Sequence, residues 1–157
     1  MENNIVQTGE LLLNRGERKG GAGSARKNYS TDRYEDVIAT AVKNAALQVH
    51  RSLGPGLLES AYEECLAYTL SKDGWGIKRQ HPMPLIYEEV KMDIGYRLDL
   101  MIEDKVIVEI KSVEKLNDVH MAQVLTYLKL SGCKLGLLIN FNNARVMDGF
   151  HRIVNKL

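Results

Sequence analysis

The sequence predicts a single α/β (α+β) domain built on a mixed central β-sheet that is flanked by helices. Three patterns indicate this fold class: apolar residues at helical spacing, a central hairpin with period-two alternation, and a continuous apolar run at residues 135–141 after the last helix. A hairpin pairs its strands antiparallel, whereas a helix between two strands is a crossover that makes them parallel. The two connections together predict a mixed sheet.

Length and composition are those of an ordinary globular domain. The 157 residues suffice for one core that needs no disulfide or structural metal. The 21 basic and 20 acidic side chains leave a net charge of +1, so any contact with nucleic acid must use a local patch. The two cysteines, Cys65 and Cys133, exclude a four-cysteine metal site within one chain, and two buried free thiols are favoured over a disulfide.

The start of the chain has the composition of a tail. Residues 1–30 are glycine-rich and carry five basic against three acidic side chains, a net charge of +2. They are predicted to be a flexible linker rather than an electrostatic arm, with the folded domain at residues 31–157. No apolar run is long enough to span a membrane, and Leu11–Leu13 is too short for a signal-peptide core, so we expect a cytoplasmic protein without a membrane partner.

Helical periodicity predicts three helices, over residues 32–53, 56–71 and 119–131. Pro55 suits the start of the second helix, because its missing N–H costs nothing there. The expected apolar stripe of that helix comprises Leu58, Ala61, Tyr62, Cys65, Leu66 and Leu70.

Residues that suit helix ends lie near these bounds. Asp32 and Glu35 have the spacing of a capping box at the start of the first helix. His50 falls in its last turn, where an imidazolium interacts favourably with the helix C-terminus. Gly132 is expected to close the third helix.

The central hairpin has arms at residues 96–102 and 106–111, joined by residues 103–105. Its apolar faces are Leu98, Leu100 and Ile102 on the first arm and Val106, Val108 and Ile110 on the second. Pairing these faces sets Ile102 opposite Val106 and Leu100 opposite Val108, because a one-residue slip would send one set to the wrong side.

The remaining strands are expected at residues 75–80, 85–87, 90–94 and 150–154. The middle two are predicted to pair as a hairpin around Glu88-Glu89. Pro82 and Pro84 confine their segment to a sheet edge or a loop, because proline cannot donate to a β-ladder.

Charged residues meet in the central hairpin. Its register places Asp99 opposite Glu109, about 5 Å apart at Cβ, where like charges destabilise a sheet. Lys111 shares the face of Glu109, because side chains two residues apart in a strand point the same way. This convergence predicts a divalent metal with a lysine beside it. The alternative from the residues alone is a solvated face whose charges never meet.

Residues 56–62, Gly-Leu-Leu-Glu-Ser-Ala-Tyr, match the G-x-x-E-x-x-Y signature of the small GxxExxY proteins, which are similar to the PD-(D/E)XK nuclease superfamily. The resemblance continues through Arg79-Gln80, Tyr96-Arg97-x-Asp99, Glu109-x-Lys111, Gln123-x-x-x-Tyr127 and Leu137–Phe141. It covers nearly all of residues 33–157 and implies a restriction-endonuclease-like core. Arg97-Leu98 stands in place of the proline in the superfamily's name.

The resemblance implies a metal site. Asp99 and Glu109, with the Ile110 carbonyl, are expected to hold Mg²⁺ or Mn²⁺, and Glu59 is expected to complete the site directly or through water. Lys111 is expected to orient or activate the attacking water and to steady the charged transition state. This agrees with the chemistry of phosphodiester cleavage, because bound Mg²⁺ lowers the pKa of its water and acts as a Lewis acid.

Two further residues are implied to act on the substrate side. Gln123 and Tyr127 resemble the Q-x-x-x-Y element of RecB-type exonucleases and are expected to orient Lys111 or to touch the substrate strand. Local basic side chains could contact DNA phosphates, although an ordinary solvated surface is the favoured interpretation of each one singly; they are Lys78, Arg79, His81, Arg145, Arg152 and Lys156.

The leading interpretation is a Mg²⁺- or Mn²⁺-dependent deoxyribonuclease that acts in DNA repair, recombination or defence. The alternative is a non-catalytic nucleic-acid- or protein-binding module of the same fold, which the near-neutral charge favours. A third hypothesis is a metal-dependent enzyme that acts on another phosphate ester.

Overall fold

The computed structural model describes residues 31–155, so the predicted tail and Lys156 lie outside it. Along these residues the chain forms three α-helices, five β-strands and one 3-10 turn. In chain order they are α1 (Thr31–Leu53), α2 (Glu59–Lys72), β1 (Ile77–Tyr87), β2 (Val90–Ile102), β3 (Val106–Lys111), α3 (Asp118–Ser131), β4 (Leu135–Asn140), the 3-10 turn (Val146–Gly149) and β5 (Phe150–Val154). None of the described helices is long and apolar enough to cross a bilayer.

The strands form one mixed sheet in the order β1-β2-β3-β4-β5. Only β3 and β4 pair in parallel, and α3 provides the crossover between them; the other neighbouring pairs are antiparallel. The predicted fold class is therefore confirmed. The sheet also places Lys111, the last residue of β3, beside Asn140, the last residue of β4.

Two apolar cores cover the two faces of the sheet. One contains the buried faces of α1 and α2 together with Val106, Val108 and Ile110 of β3. The other contains the buried face of α3 together with Ile107. Because side chains alternate along a strand, Glu109 and Lys111 belong to the α3 face. Strand β4 supplies both cores and is buried along its whole length, as its continuous apolar run predicts.

The predicted register of the central hairpin is confirmed for its two apolar pairs, while Asp99 and Glu109 lie beyond the last pair of the β2–β3 ladder. Leu100 pairs with Val108 and Ile102 pairs with Val106. The turn is tight because Glu103 and Asp104 both adopt positive φ angles, of 52° and 55°, and Lys105 N donates to Ile102 O at 3.0 Å.

The predicted apolar face of β2 is wrong at Leu98. This side chain packs in the α3 core, whereas Leu100, two residues later, packs in the α1–α2 core. The alternation is interrupted between them, opposite Gln80 of β1, which has a φ of 45° and no Cα partner in the β1–β2 ladder. A left-handed residue bends its strand locally, so β1 is distorted next to the point where the side chains of β2 change faces.

Helix α2 begins three residues later than predicted. Gly54 and Gly56 have φ angles of 68° and 100°, which no helix accommodates, and the chain becomes helical only at Glu59. Leu58, expected on the buried stripe, is the N-cap residue and is 77% exposed. Tyr62 holds the loop instead: its hydroxyl donates to Gly54 O at 2.7 Å and accepts from Leu57 N at 3.1 Å.

The hairpin of β1 and β2 is longer than predicted. Each strand is continuous, and Glu88 and Glu89 form the turn with positive φ angles of 47° and 66°. Pro82 and Pro84 lie in β1, which is an edge strand of the sheet, so the edge placement is confirmed.

The predicted helix ends are confirmed at Gly132 for α3 and at Leu53 for α1. Asn117 caps α3 by accepting from Val119 N and His120 N, and Gly132 closes it in the left-handed conformation. His50 lies in the last turn of α1, as predicted, and its Nε2 donates to Asn143 O at 2.8 Å, which ties the helix to the loop after β4. The side chain of Asp32 lies outside the described part of the chain, so its capping box stays a prediction.

Both cysteines are free thiols, as expected. Cys133 is buried, while Cys65 is half-buried.

Candidate active site

The carboxylate of Asp99 reaches across from β2 to the main chain of β3. Its Oδ2 accepts a hydrogen bond from Ile110 N at 2.9 Å. The β2–β3 ladder ends with the pair of Leu100 and Val108. Beyond that pair, the Asp99 side chain provides the hydrogen bond to the main chain of β3. The bond fixes Asp99 beside Glu109, the residue preceding Ile110.

Glu109 and Lys111 form an ion pair on the face of the sheet that α3 covers. Lys111 Nζ lies 2.8 Å from Glu109 Oε1, and the two side chains are only 14% and 4% exposed, the lysine being the more exposed. The other oxygen, Glu109 Oε2, is buried and has no hydrogen-bond partner in the structure. A buried carboxylate oxygen without a partner is costly unless a ligand completes it.

The electrostatics of the site favour proton or cation uptake. Burial raises the pKa of Glu109 to about 7; the charge of Asp99 adds to the rise and Lys111 opposes it. Burial also raises the pKa of Asp99, whereas the hydrogen bond from Ile110 N and the charge of Lys111 lower it by a smaller amount. Burial alone would lower the pKa of Lys111, but the hydrogen bond and charge of Glu109 outweigh it and raise that pKa.

Glu59 lies at the edge of this group. Its Oε1 accepts from Ser112 N at 3.1 Å, and Ser112 Oγ donates to Leu57 O at 2.6 Å, so the start of α2 is tied to the residue after β3. The charge of Glu59 raises the pKa of both Glu109 and Lys111. Within residues 31–155, however, no group of three His, Cys, Asp or Glu side chains could hold a metal ion. Glu59 therefore stands apart from the two central carboxylates.

Gln123 and Tyr127 lie on α3, over the same face of the sheet. Gln123 Nε2 donates to the Tyr127 hydroxyl at 2.7 Å, and the Tyr127 ring meets Tyr96 edge-on at 5.6 Å between centroids. Burial raises the pKa of Tyr127; the Gln123 hydrogen bond and the charge of Lys111 oppose the rise, and the charge of Glu109 adds to it. Where the structure describes the chain, Lys111 donates its hydrogen bond to Glu109 and not to Gln123 or Tyr127. A contact of this pair with a substrate strand stays a prediction.

Three residues beside Asp99 were not predicted to act as a group. Glu63 of α2 is 5% exposed and accepts from Arg79 Nε at 3.0 Å and from Gln80 Nε2. Gln80 Nε2 also donates to Asp99 Oδ1 at 3.3 Å. One signal for this group is present in the sequence: Glu63 lies at helical spacing from the apolar Leu66, three residues later, which places a carboxylate on the core side of α2.

Most of the cations expected to contact phosphates are already paired. The pairs are Lys78 with Asp104, Arg79 with Glu63 and Glu64, Arg145 with Asp148, and Arg152 with Asp36. Their positive charge is therefore partly neutralised within the protein. His81 is half-buried on the edge strand β1.

The donor set fits a hard divalent cation. Asp99 and Glu109 supply two carboxylates close enough to interact electrostatically, and Glu109 Oε2 is buried without a partner. Mg²⁺ is commonly held by one or two carboxylates and keeps several of its waters, so two acidic side chains suffice. Glu59 accepts a hydrogen bond from Ser112 N instead.

Comparison with known proteins gives one family and one similar structure. A family model described as the PD-(D/E)XK nuclease superfamily matches residues 36–153. The crystal structure of SSO0001 is similar at 22% identity and a TM-score of 0.49, covering 80% of this chain and 62% of that one. This chain thus spans less than two thirds of that protein's length. No curated protein matches.

Proposed function

The chain belongs to the PD-(D/E)XK nuclease superfamily, and we propose that it is a Mg²⁺- or Mn²⁺-dependent nuclease that hydrolyses phosphodiester bonds of DNA. The observation that carries the proposal is the buried Glu109, with one carboxylate oxygen paired to Lys111 and the other without a protein partner, beside Asp99. The proposal includes the GxxExxY relationship, the RecB-like subtype and a role in DNA repair, recombination or defence.

In this proposal, Asp99 and Glu109 would hold the cation, with the Ile110 carbonyl as a further oxygen donor and Glu59 acting through water. When bound, Mg²⁺ supplies a water of lowered pKa and Lewis-acid stabilisation of the phosphate charge. Ile110 N keeps Asp99 Oδ2 in place by donating a hydrogen bond to it at 2.9 Å.

Lys111 acts by its charge. An ammonium group has no lone pair, so it cannot bind a metal, but it can donate to the attacking water or to a phosphate oxygen. Glu109 holds Nζ at 2.8 Å and keeps it protonated, because the carboxylate raises the pKa of the lysine. A fixed positive charge at this position stabilises the negative charge that develops on the phosphate. Gln123 and Tyr127 are assigned to the contact with the substrate strand.

A second candidate is a non-catalytic module that binds nucleic acid or protein. The ion pairs of Lys78, Arg79, Arg145 and Arg152 favour it, because they leave less free positive charge for steering DNA. The buried ion pair of Glu109 and Lys111 favours the nuclease, since a binding module has no use for a partnerless buried carboxylate oxygen.

Cleavage assays and calorimetry together test the proposal. The wild type is incubated with single-stranded, duplex and branched DNA and with RNA, with and without Mn²⁺, while Mn²⁺ binding is measured separately. We expect metal-dependent cleavage of DNA, and loss of both cleavage and Mn²⁺ binding in Asp99→Asn. Mn²⁺-independent DNA binding without cleavage would establish the binding module instead.

A further inference from the structure

Glu63 is a buried anion whose two oxygens are engaged by consecutive residues of β1. Oε1 accepts from Arg79 Nε at 3.0 Å, and Oε2 accepts from Gln80 Nε2 at 2.5 Å. Arg79 also pairs with Glu64, which is largely exposed. A charge on a side chain only 7% exposed is costly to leave unpaired, so these contacts fix Glu63 firmly between α2 and β1.

Gln80 is held in an unfavourable backbone conformation at this point. Its φ of 45° lies in the left-handed region, which is unfavourable for a non-glycine residue and persists only where the surroundings enforce it. The side chain is exposed, so it would rotate freely in water without its partners. Both carboxylates that surround it, on Glu63 and Asp99, accept from its Nε2.

The amide of Gln80 can serve both carboxylates at once, because an NH₂ group has two hydrogens to donate. Asp99 is thereby held from two sides: Ile110 N bonds to Oδ2 at 2.9 Å, and Gln80 bonds to Oδ1 at 3.3 Å. Glu63 fixes the orientation of the amide, since an amide oxygen turned towards either carboxylate would be repelled.

We propose that Glu63 is a positioning residue that acts through Gln80 to aim Asp99 at the divalent cation. The inference rests on the proposed metal-dependent function. It explains why a strained Gln80 and a buried Glu63 meet beside Asp99, one of the two residues assigned to hold the ion. Outer partners that orient a metal-binding carboxylate typically change metal affinity by about 10- to 100-fold when they are removed.

A purely structural role for Glu63 would work through Arg79 instead. In that case the Arg79–Glu63 pair merely attaches β1 to α2, and Gln80 is incidental. The two roles differ in what each variant changes. Loss of the Arg79 contact should lower the melting temperature, whereas loss of the Gln80 contact should lower metal affinity.

Three variants separate these roles. Gln80→Asn retains an amide and suits a positive φ, but it is one methylene too short to bridge both carboxylates. Arg79→Met retains the aliphatic packing but removes the partner of Glu63 Oε1. Glu64→Gln is the matched control, because it removes only the exposed partner of Arg79. Each is purified as the full chain, melted without metal, and titrated with Mn²⁺ by calorimetry.

The expected result is a tenfold or greater loss of Mn²⁺ affinity in Gln80→Asn with little change in melting temperature. Arg79→Met should melt at a lower temperature yet bind Mn²⁺ within about twofold of the wild type, and Glu64→Gln should resemble the wild type in both. Unchanged Mn²⁺ affinity in Gln80→Asn would overturn the inference.

Asp99→Asn, measured alongside, separates this failure from that of the proposed function. If the wild type binds Mn²⁺ and Asp99→Asn does not, the metal site stands, and the Gln80→Asn result alone decides the roles of Glu63 and Gln80. If wild type and Asp99→Asn bind Mn²⁺ alike, the metal site itself is wrong and the positioning role falls with it.

Discussion

Lys111 Nζ donates to Glu109 Oε1 at 2.8 Å, while Glu109 Oε2 is buried without a hydrogen-bond partner. The two oxygens of one carboxylate are therefore divided between a cationic side chain and a position that lacks any protein donor. Because Glu109 also lies beside Asp99, the unpaired oxygen adds to a site that favours a proton or a cation. Changes to the lysine and to the carboxylate should consequently have different effects on cleavage, metal binding and stability.

Removal of the lysine charge should stop cleavage and spare metal binding. We expect Lys111→Ala to lower the cleavage rate by about 100- to 1,000-fold, because a charge beside the reacting phosphate is lost. Mn²⁺ affinity should stay close to that of the wild type, since the ammonium is not a ligand. Lys115→Ala, at an exposed position four residues later, is the matched control in the same assay. Equal rates for Lys111→Ala and wild type would refute the assigned mechanism.

The raised pKa of Glu109 makes metal-free stability depend on pH. In the unfolded chain this carboxyl titrates near a pKa of 4.5, and in the folded protein its pKa is about 7. Between these two pKa values Glu109 is protonated in the folded state and ionised in the unfolded state. The stabilisation of the folded state by this proton is therefore complete below pH 4.5 and is lost as the pH rises through 7. We expect Glu109→Gln to be the more stable protein at about pH 8, by at most about 3 kcal/mol.

Melting curves at about pH 5 and about pH 8 check this prediction. The difference between Glu109→Gln and wild type should shrink at the lower pH, where the wild-type carboxyl is protonated. Saturating Mn²⁺ at the higher pH should reverse the order, because only the wild type gains stability by binding the ion. A pH-independent difference would show that Glu109 titrates normally.

The Asp99 side chain has a structural bond as well as a repulsive charge. From repulsion alone, Asp99→Ala would be no less stable than the wild type without metal. The structure adds the hydrogen bond from Ile110 N, which alanine loses and asparagine can keep. We expect Asp99→Ala to be less stable than Asp99→Asn by about 1–3 kcal/mol in metal-free denaturant titrations. Identical stabilities would mean that solvent replaces the bond without cost.

The hydroxyl of Tyr62 holds the loop that precedes α2. Tyr62→Phe keeps the stacking on Phe141, at 4.5 Å between centroids, but removes the bonds to Gly54 O and Leu57 N. We expect a loss of about 1–3 kcal/mol of unfolding free energy and faster hydrogen exchange of the Leu57 amide. Tyr68→Phe, at a position 68% exposed, is the control. Unchanged exchange at Leu57 would contradict the assignment.

Arg97 is expected to contact DNA phosphates more than the paired arginines do. It is exposed, lies two residues before Asp99, and forms no ion pair within residues 31–155. In metal-free binding titrations, Arg97→Ala should reduce the slope of log affinity against log salt by about one. Arg145→Ala, whose guanidinium is held by Asp148, should change the slope less. An equal effect of both variants would remove Arg97 from the interface.

Elements with strong local signals could be predicted from the sequence. Alternating apolar residues set Leu100 opposite Val108, because only one register buries both apolar faces. The apolar run of β4 predicted a strand buried on both faces, and Gly132 marked the end of α3 through its left-handed conformation. The order of strand, crossover helix and buried strand was enough to predict the mixed sheet.

The pairing of charged residues from different elements depended on the tertiary structure. Leu98 changes faces where the sheet is distorted beside Gln80. Glu63 of α2, which lies 17 positions before Gln80 in the chain, accepts a hydrogen bond from the Gln80 side chain. Arg79, a candidate for phosphate contact, forms an ion pair with Glu63 of the same helix. Sequence periodicity specifies which face of an element is buried, but not which residue of another element it meets. That choice depends on the packing of α2 against the sheet, which brings Glu63, Gln80 and Asp99 together.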